Sequence, residues 1–208
     1  MTAAPLVFVV DDDPSVRSSL KFLLSTVGLQ AETSDSADSF LHKKRPDVPS
    51  CVVLDVRLPG VSGIDFQREL TARNISIPIV FLTGHGDIPM SVRAIKAGAV
   101  EFLTKPFRDQ DLLDAVHVAL DRDRARRKED SEMADIRQCF DSLTSREQEV
   151  VSMVVAGMLN KQIAAELGTA ESTVKVQRSR AMEKMKAESL AHLIKMMQKL
   201  QLPSEKAS

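Results

Sequence analysis

The sequence predicts an α/β unit with a doubly wound, five-stranded parallel sheet, joined by a helical linker to a small all-α unit of four helices built around a helix-turn-helix. Three observations predict it. Over the first 120 residues, short unbroken apolar runs alternate with amphipathic stripes, the pattern of parallel strands covered on both faces by helices. Residues 121–140 carry mixed charge without Gly or Pro, as a solvated helix does. From Leu143 onward the pattern is helical throughout. A chain of 208 residues has room for two small domains at roughly 150 residues each. The expected division is 1–120, a linker at 121–140, and 141–208.

The elements follow in order. Residues 6–10 form an apolar strand that stops at Asp11-Asp12-Asp13. Pro14 suits the first turn of a helix, and Val16, Leu20, Leu23, Leu24 and Val27 give it one apolar stripe, closed by Gly28. Residues 29–33 read as a weak strand and 37–44 as a short helix. Residues 51–54 are a continuous apolar strand ending at Asp55, followed by a helix over 64–73. A fourth strand over 79–82 ends at Thr83, and a helix over 89–97 is stopped by Gly98. The fifth strand, 100–103, ends in Thr104-Lys105-Pro106, and a helix begins at Asp109. In the second part, Thr144 and Glu147 have the spacing of a capping box, and Gly157 ends that helix. Asn160 is expected to cap residues 161–167. Gly168 breaks the chain, Thr169 caps a longer helix to about residue 186, and Ser189 opens a last helix to about residue 200.

Composition narrows the function classes. Hydrophobic residues at 43% and charged residues at 27% exclude disorder as the main state. No apolar run reaches the 18 or so residues of a membrane span. The N-terminus lacks the basic start of a secretory signal, so a cytoplasmic protein without membrane contact is expected. Cys51 and Cys139 have no metal-ligand spacing. Residues 1–120 hold 12 basic and 15 acidic side chains, whereas 141–208 hold 10 and 8, so the front is mildly acidic and the back mildly basic. With no Trp or Tyr, a stacking platform for single-stranded nucleic acid is not expected.

Ligands of open α/β sheets sit outside the carboxyl ends of the strands. Asp11, Asp12, Asp55, Thr83 and Lys105 occupy those ends. Two like charges about 4 Å apart repel by on the order of 4 kcal/mol at an effective dielectric of 20, so the three acids call for a cation, and a hard oxygen-ligated ion such as Mg²⁺ fits. Thr83 and Lys105 suit a phosphoryl oxygen. A carboxylate in this setting can attack phosphorus and become an acyl phosphate. Asp13 is read as supporting rather than ligating.

These residues stand in four motifs: Val9-Val10-Asp11-Asp12, Leu54-Asp55-Val56-Arg57-Leu58-Pro59-Gly60, Leu82-Thr83-Gly84-His85-Gly86-Asp87 and Phe102-Leu103-Thr104-Lys105-Pro106-Phe107. Together they resemble a two-component receiver domain over residues 5–120. The resemblance implies a flavodoxin- or CheY-like fold. It implies that Asp55 accepts a phosphoryl group from a sensor histidine kinase. It implies Mg²⁺ held by Asp11, Asp12, Asp55 and the main-chain carbonyl of Arg57, with Thr83 and Lys105 on the phosphoryl oxygens. Phe102 holds the family's switch position with Thr83, and the bond before Pro106 is cis. Arg57 and His85 stand where the family tunes acyl-phosphate lifetime. The resemblance also assigns Val92, Ile95, Lys96 and Asp111 to the surface through which two phosphorylated receivers would pair.

In the second part, Val174, Ala181 and Met185 share one face of a helix, and Lys175, Val176 and Ser179 the opposite one. An exposed Val suits a thymine methyl, and Lys175 a guanine or phosphate. Arg178, Arg180, Lys184 and Lys186 suit backbone phosphates. The segments Leu143–Val150, Asn160–Ala164 and Ser172–Val176 resemble the LuxR-type helix-turn-helix, with Gln177 where many relatives have His. Lys161, Thr173, Lys175, Val176, Ser179, Arg180 and Lys184 are the expected DNA contacts. Receiver and output module make a response regulator, and the length and the Gly-His-Gly-Asp-Ile-Pro-Met segment resemble the FixJ subgroup of the NarL/LuxR class. The resemblance implies a homodimer on phosphorylation and double-stranded promoter DNA as target, and allows RNA polymerase as a further partner. Two other classes fit some of the residues: a phosphohydrolase with an Asp nucleophile, against which Arg57 stands where a second acid is wanted, and a phosphorelay or protein-interaction switch whose helical tail binds protein.

Overall fold

The computed structural model describes residues 4–84 and 88–201. Two compact units divide the chain, Met1–Arg127 and Lys128–Ser208. The first contains β1 (Leu6–Val10), α1 (Pro14–Thr26), β2 (Gln30–Ser34), α2 (Ala37–Leu41), β3 (Ser50–Asp55), α3 (Gly63–Ala72), β4 (Ile79–Thr83), α4 (Ile88–Lys96), β5 (Glu101–Thr104) and the start of α5 (Asp109–Asp141). All strand pairs are parallel, in the order β2-β1-β3-β4-β5. The order reverses between β1 and β3, the switch point where doubly wound sheets bind ligands.

Successive strand residues point to opposite faces, and both faces are buried. Leu6, Phe8, Val10, Val52 and Leu54 pack with Phe40 of α2 and Phe66 and Leu70 of α3. Val7, Val9, Cys51 and Val53 pack with Leu20 and Leu24 of α1 and Leu112 and Val116 of α5. β1, β3 and β4, buried along their whole length, therefore read as apolar runs. Phe8, Phe40 and Phe66 stack edge to face, with centroids 5.2 and 5.9 Å apart. Burial pushes the Cys51 thiol up to about 12, with the Asp123 charge adding to it, so it behaves as an inert apolar group.

The structure departs from expectation at three places in this unit by more than an end residue's shift or for a definite physical reason. Leu29 is not in β2, because its N–H closes α1 on Leu24 O at 3.0 Å, past Gly28 at φ 77°. α2 stops at Leu41, five residues before Pro46, where Lys43 turns away to donate to Thr33 O. The expected solvated linker also carries a buried group. Asp123 is 1% exposed and accepts from the Ser50 N–H at 2.9 Å, Arg126 Nη2 at 2.7 Å and Arg127 Nε at 2.6 Å. Arg127 also pairs with Asp47. Local charge pattern could not show this tie, because the group it caps lies 73 residues away. Two more side chains hold the chain just after α4: Gln67 Nε2 donates to Ala97 O at 2.9 Å and Arg122 Nη1 to Gly98 O at 3.3 Å.

The second unit contains the end of α5, then α6 (Ser145–Val155), α7 (Asn160–Glu166), α8 (Glu171–Lys184) and α9 (Leu190–Gln201). Its core joins Ile136, Val150, Val154, Ile163, Val174, Ala181, Met185 and Leu193. The capping box is present, with Glu147 N–H on Thr144 Oγ1 at 3.3 Å and Thr144 N–H on Glu147 Oε2 at 2.9 Å. Asn160 and Thr169 are not caps. Leu159 holds the N-cap position of α7, where its N–H donates to Gln162 Oε1 at 2.8 Å. Ala170 holds that of α8. Thr169 instead finishes α7: its N–H donates to Ala164 O at 3.0 Å after Gly168 turns left-handed at φ 59°, the Schellman ending. No helix of the described residues is long and apolar enough to cross a membrane.

Candidate functional site

The register of the sheet sets one group of polar residues. β1 pairs with β3 so that Val10 lies beside Leu54, and Asp55 pairs with Leu82 of β4. Asp11 and Asp55 thus leave adjacent strands at the switch point. Lys105 follows β5, and its N–H donates to Thr83 O at 2.6 Å. The loop from β5 turns through a cis Lys105–Pro106 peptide. Lys105 Nζ then donates to Asp11 Oδ2 at 2.7 Å and to Asp55 Oδ2 at 3.2 Å. Asp11, Asp55 and Thr83 are buried, Asp12 is exposed, and one carboxylate oxygen of each of Asp11, Asp12 and Asp55 lies within 4.8 Å of the others. That donor set is oxygen only, which fits a hard divalent cation and not zinc or copper.

The other contacts fix these carboxylates. The Asp13 N–H donates to Asp11 Oδ1 at 2.9 Å, and the Arg57 N–H to Asp55 Oδ1 at 3.1 Å. Asp13 is the N-cap of α1, accepting from the Ser15 N–H at 2.8 Å. Arg57 itself is exposed. Burial raises the Asp55 pKa, against the Arg57 N–H and the Lys105 charge that favour its ionised form, with the Asp11 charge adding to the rise. Burial works against the Lys105 ammonium, but the Asp11 hydrogen bond and the two carboxylate charges outweigh it and its pKa is raised. His85 lies outside the described residues.

Phe102 is half-buried on β5, its ring centroid 6.1 Å from that of Phe81. Val92 and Ile95 of α4 are each 44% exposed, and Lys96 is exposed. Asp111 pairs with Arg108 at 2.6 Å, which holds its carboxyl low.

Sequence reasoning missed two residues at this site. Arg17 Nη1 donates to the carbonyls of Asp11 and Asp12 at 2.7 and 2.9 Å. Its signal was a lone base in the first turn of a helix that follows three acids. Gly63 lies under the β3–α3 connection, where a Cβ would stand 2.6 Å from Asp55 O.

The second unit carries the other expected set. Val174, Ala181 and Met185 are buried as the periodicity predicts. Lys161, Thr173, Lys175, Ser179 and Arg180 are exposed, and Val176 is 50% exposed. Lys175 lies 3.5 Å from Glu171 one turn earlier. Two of the expected phosphate contacts have partners inside the unit. Arg178 Nη1 donates to Asn160 Oδ1 at 3.1 Å, and Lys184 Nζ to Glu147 Oε2 at 2.7 Å. Helical position gives a basic residue no label that separates these two uses.

A sheet whose switch point gathers acids and a lysine, followed by a helix-turn-helix unit, has the build of a regulator that couples a signal-accepting domain to DNA. Comparison with known proteins agrees. Residues 7–117 match the response regulator receiver domain, and residues 141–197 match the bacterial regulatory proteins of the luxR family. Nodulation protein W of Bradyrhizobium diazoefficiens is 56% identical over 195 residues, 94% of this chain and 86% of that protein. Transcriptional regulatory protein FixJ of Rhizobium meliloti is 44% identical over 191 residues, 91% of this chain and 93% of that one. Among solved structures, the response regulator StyR superposes with a TM-score of 0.85 at 52% identity, covering 95% of this chain and all of that one (100%). Full-length FixJ from B. japonicum gives 0.56 at 36% identity, covering 96% and 98%. The chain belongs to the response regulator family and is a transcriptional regulator with a receiver domain and a LuxR-type DNA-binding domain.

Proposed function

We propose that Asp55 accepts a phosphoryl group from the phosphohistidine of a sensor kinase in the cytoplasm, and that this governs promoter binding by the helix-turn-helix. The supporting observation is the placement of Asp55 at the switch point with Asp11, Asp12 and Lys105 around it. A carboxylate oxygen of Asp55 attacks phosphorus, the P–N bond to the donor histidine breaks, and an acyl phosphate forms. Mg²⁺, held by Asp11, Asp12, Asp55 and the Arg57 carbonyl, would neutralise phosphoryl oxygen charge. Lys105, which now bridges Asp11 and Asp55, turns one of its protons to a phosphoryl oxygen, and Thr83 donates its hydroxyl to another. These new contacts favour the active population of the receiver, with Phe102 following Thr83.

The receiver works as residues 1–120 completed by the Asp123 clamp through Arg127, the rest of 121–140 links, and residues 141–208 bind DNA. Phosphorylated receivers pair through Val92, Ile95, Lys96 and Asp111, bringing two recognition helices to half-sites about 10 bp apart. Linking two weak contacts can raise avidity by roughly 10²–10⁴. Lys161, Thr173, Lys175, Val176, Ser179 and Arg180 face the DNA, and RNA polymerase is a partner at the promoter.

Intact-mass spectrometry after treatment with acetyl phosphate and Mg²⁺ tests the first step. One base-labile phosphoryl group is expected on the parent and none on Asp55→Asn. A fully labelled Asp55→Asn protein would overturn the assignment. Light scattering of the same samples tests pairing: an unchanged mass alongside a gain in DNA affinity would replace dimerisation with release of an inhibited DNA-binding unit.

A further inference from the structure

The first turn of α6 grips both helices of the helix-turn-helix. Arg146 Nη2 donates at 2.7 Å to Leu167 O, the C-cap carbonyl of α7, just before Gly168 turns the chain. Glu147 Oε2 accepts at 2.7 Å from Lys184 Nζ in the last turn of α8, and at 2.9 Å from the Thr144 N–H. Lys184 Nζ also lies 3.5 Å from Ser142 O. Glu147 is buried while Lys184 is exposed, so the carboxylate end of this ion pair is withdrawn from water and its ammonium end is not.

The apolar hold on α8 is thin by comparison. Val174 and Ala181 are its buried residues, Met182 packs beside them partly buried, and Met185 follows just beyond its end. Its N-terminus has no side-chain cap, and the Arg178–Asn160 bond ties its middle to the start of α7 and not to α6. Such a seam fixes which side of the helix faces the core. It leaves axial position and the last degrees of rotation loosely set, because burial of apolar surface is non-directional. Hydrogen bonds to charged groups are directional and short. The Glu147–Lys184 bond joins the far end of α8 to a helix start that is itself locked by a capping box.

We infer that Glu147 is a positioning residue for DNA readout. Through Lys184 it sets the rotation and axial position of α8, and so how Lys175, Val176 and Ser179 meet base edges. Lys184 is then an internal tie and not a phosphate contact. The inference rests on the reading that α8 lies in the major groove.

The test uses the full chain and two duplexes of equal length: one enriched by the parent protein from a random-sequence pool, and one unselected. Glu147→Gln and Lys184→Met are each expected to lower the selected-to-unselected affinity ratio about tenfold, the effect of spoiling one base-edge contact. Affinity for unselected DNA and the salt slope should hold. The double variant should be no worse than either single one, and Lys184→Arg should restore most of the ratio. A change in folded fraction alone would weaken both duplexes together and leave the ratio intact, and that result would overturn the inference. So would an equal loss on both duplexes with the salt slope reduced by about one unit, which places Lys184 on a phosphate. If the parent itself enriches no sequence, the DNA reading fails and takes the inference with it. If the parent discriminates and the well-folded variants do so equally well, the inference alone falls.

Discussion

Gly63 shows how little room surrounds the acceptor strand. A Cβ there would stand 2.6 Å from Asp55 O, 3.0 Å from Val56 Cα and 3.2 Å from a Phe81 ring carbon. Two of those atoms are backbone and cannot swing aside. Gly63→Ala is expected to cost about 1–3 kcal/mol, as overpacking does, and to slow phosphorylation by displacing Asp55. Urea unfolding and the labelling rate check both effects, and a variant with parental values in each would refute the prediction. Glu147 supplies a pH dependence. The Lys184 hydrogen bond first, and the Thr144 N–H next, hold its carboxyl below the ordinary range against the opposing effect of burial. A carboxyl lowered on folding contributes stability that is complete above its unfolded value, near pH 4.5, and fades as pH falls through the folded value. Melting the parent and Glu147→Gln across pH 3–7 should therefore show the parent ahead at neutral pH and the two converging in acid. A gap that is constant with pH would mean that the charge of Glu147 contributes nothing.

At the scale of elements, the strands and their polar ends were legible because each apolar run stops where a site residue begins: Val10 before Asp11, Leu54 before Asp55, Leu82 before Thr83. The capping box of α6 was legible because both partners lie within four residues. Thr144→Ala is expected to cost about 1 kcal/mol, with fraying confined to the start of α6, which amide exchange would locate. The starts of α7 and α8 were misread for a physical reason. Asn160 and Thr169 are good capping residues in isolation, but Arg178 takes the Asn160 side chain and the ending of α7 takes the Thr169 N–H. Ties between segments distant in sequence were invisible altogether. Asp123 on the Ser50 N–H, Gln67 on Ala97 O and Lys184 on Glu147 need the fold before they exist as pairs.

For the whole molecule, the charge split between the two units has a testable counterpart. The second unit holds the exposed bases of the recognition helix, so nonspecific binding to duplex DNA should fall steeply with salt and survive Asp55→Asn unchanged. The buried Asp123 has a different consequence, for how such regulators can be recombined. It satisfies the N–H that begins β3 and is held by two arginines that follow it on α5. A receiver fragment cut after Leu120 loses all three side chains and leaves the Ser50 N–H buried without its acceptor, a cost of about 1–3 kcal/mol. A fragment cut after Arg127 keeps them. The shorter fragment should melt lower, and equal melting temperatures would show the clamp to be idle. Chimeras that graft another output module onto this receiver should accordingly be spliced beyond Arg127, since a joint at residue 120 would carry off part of the receiver with the piece being replaced.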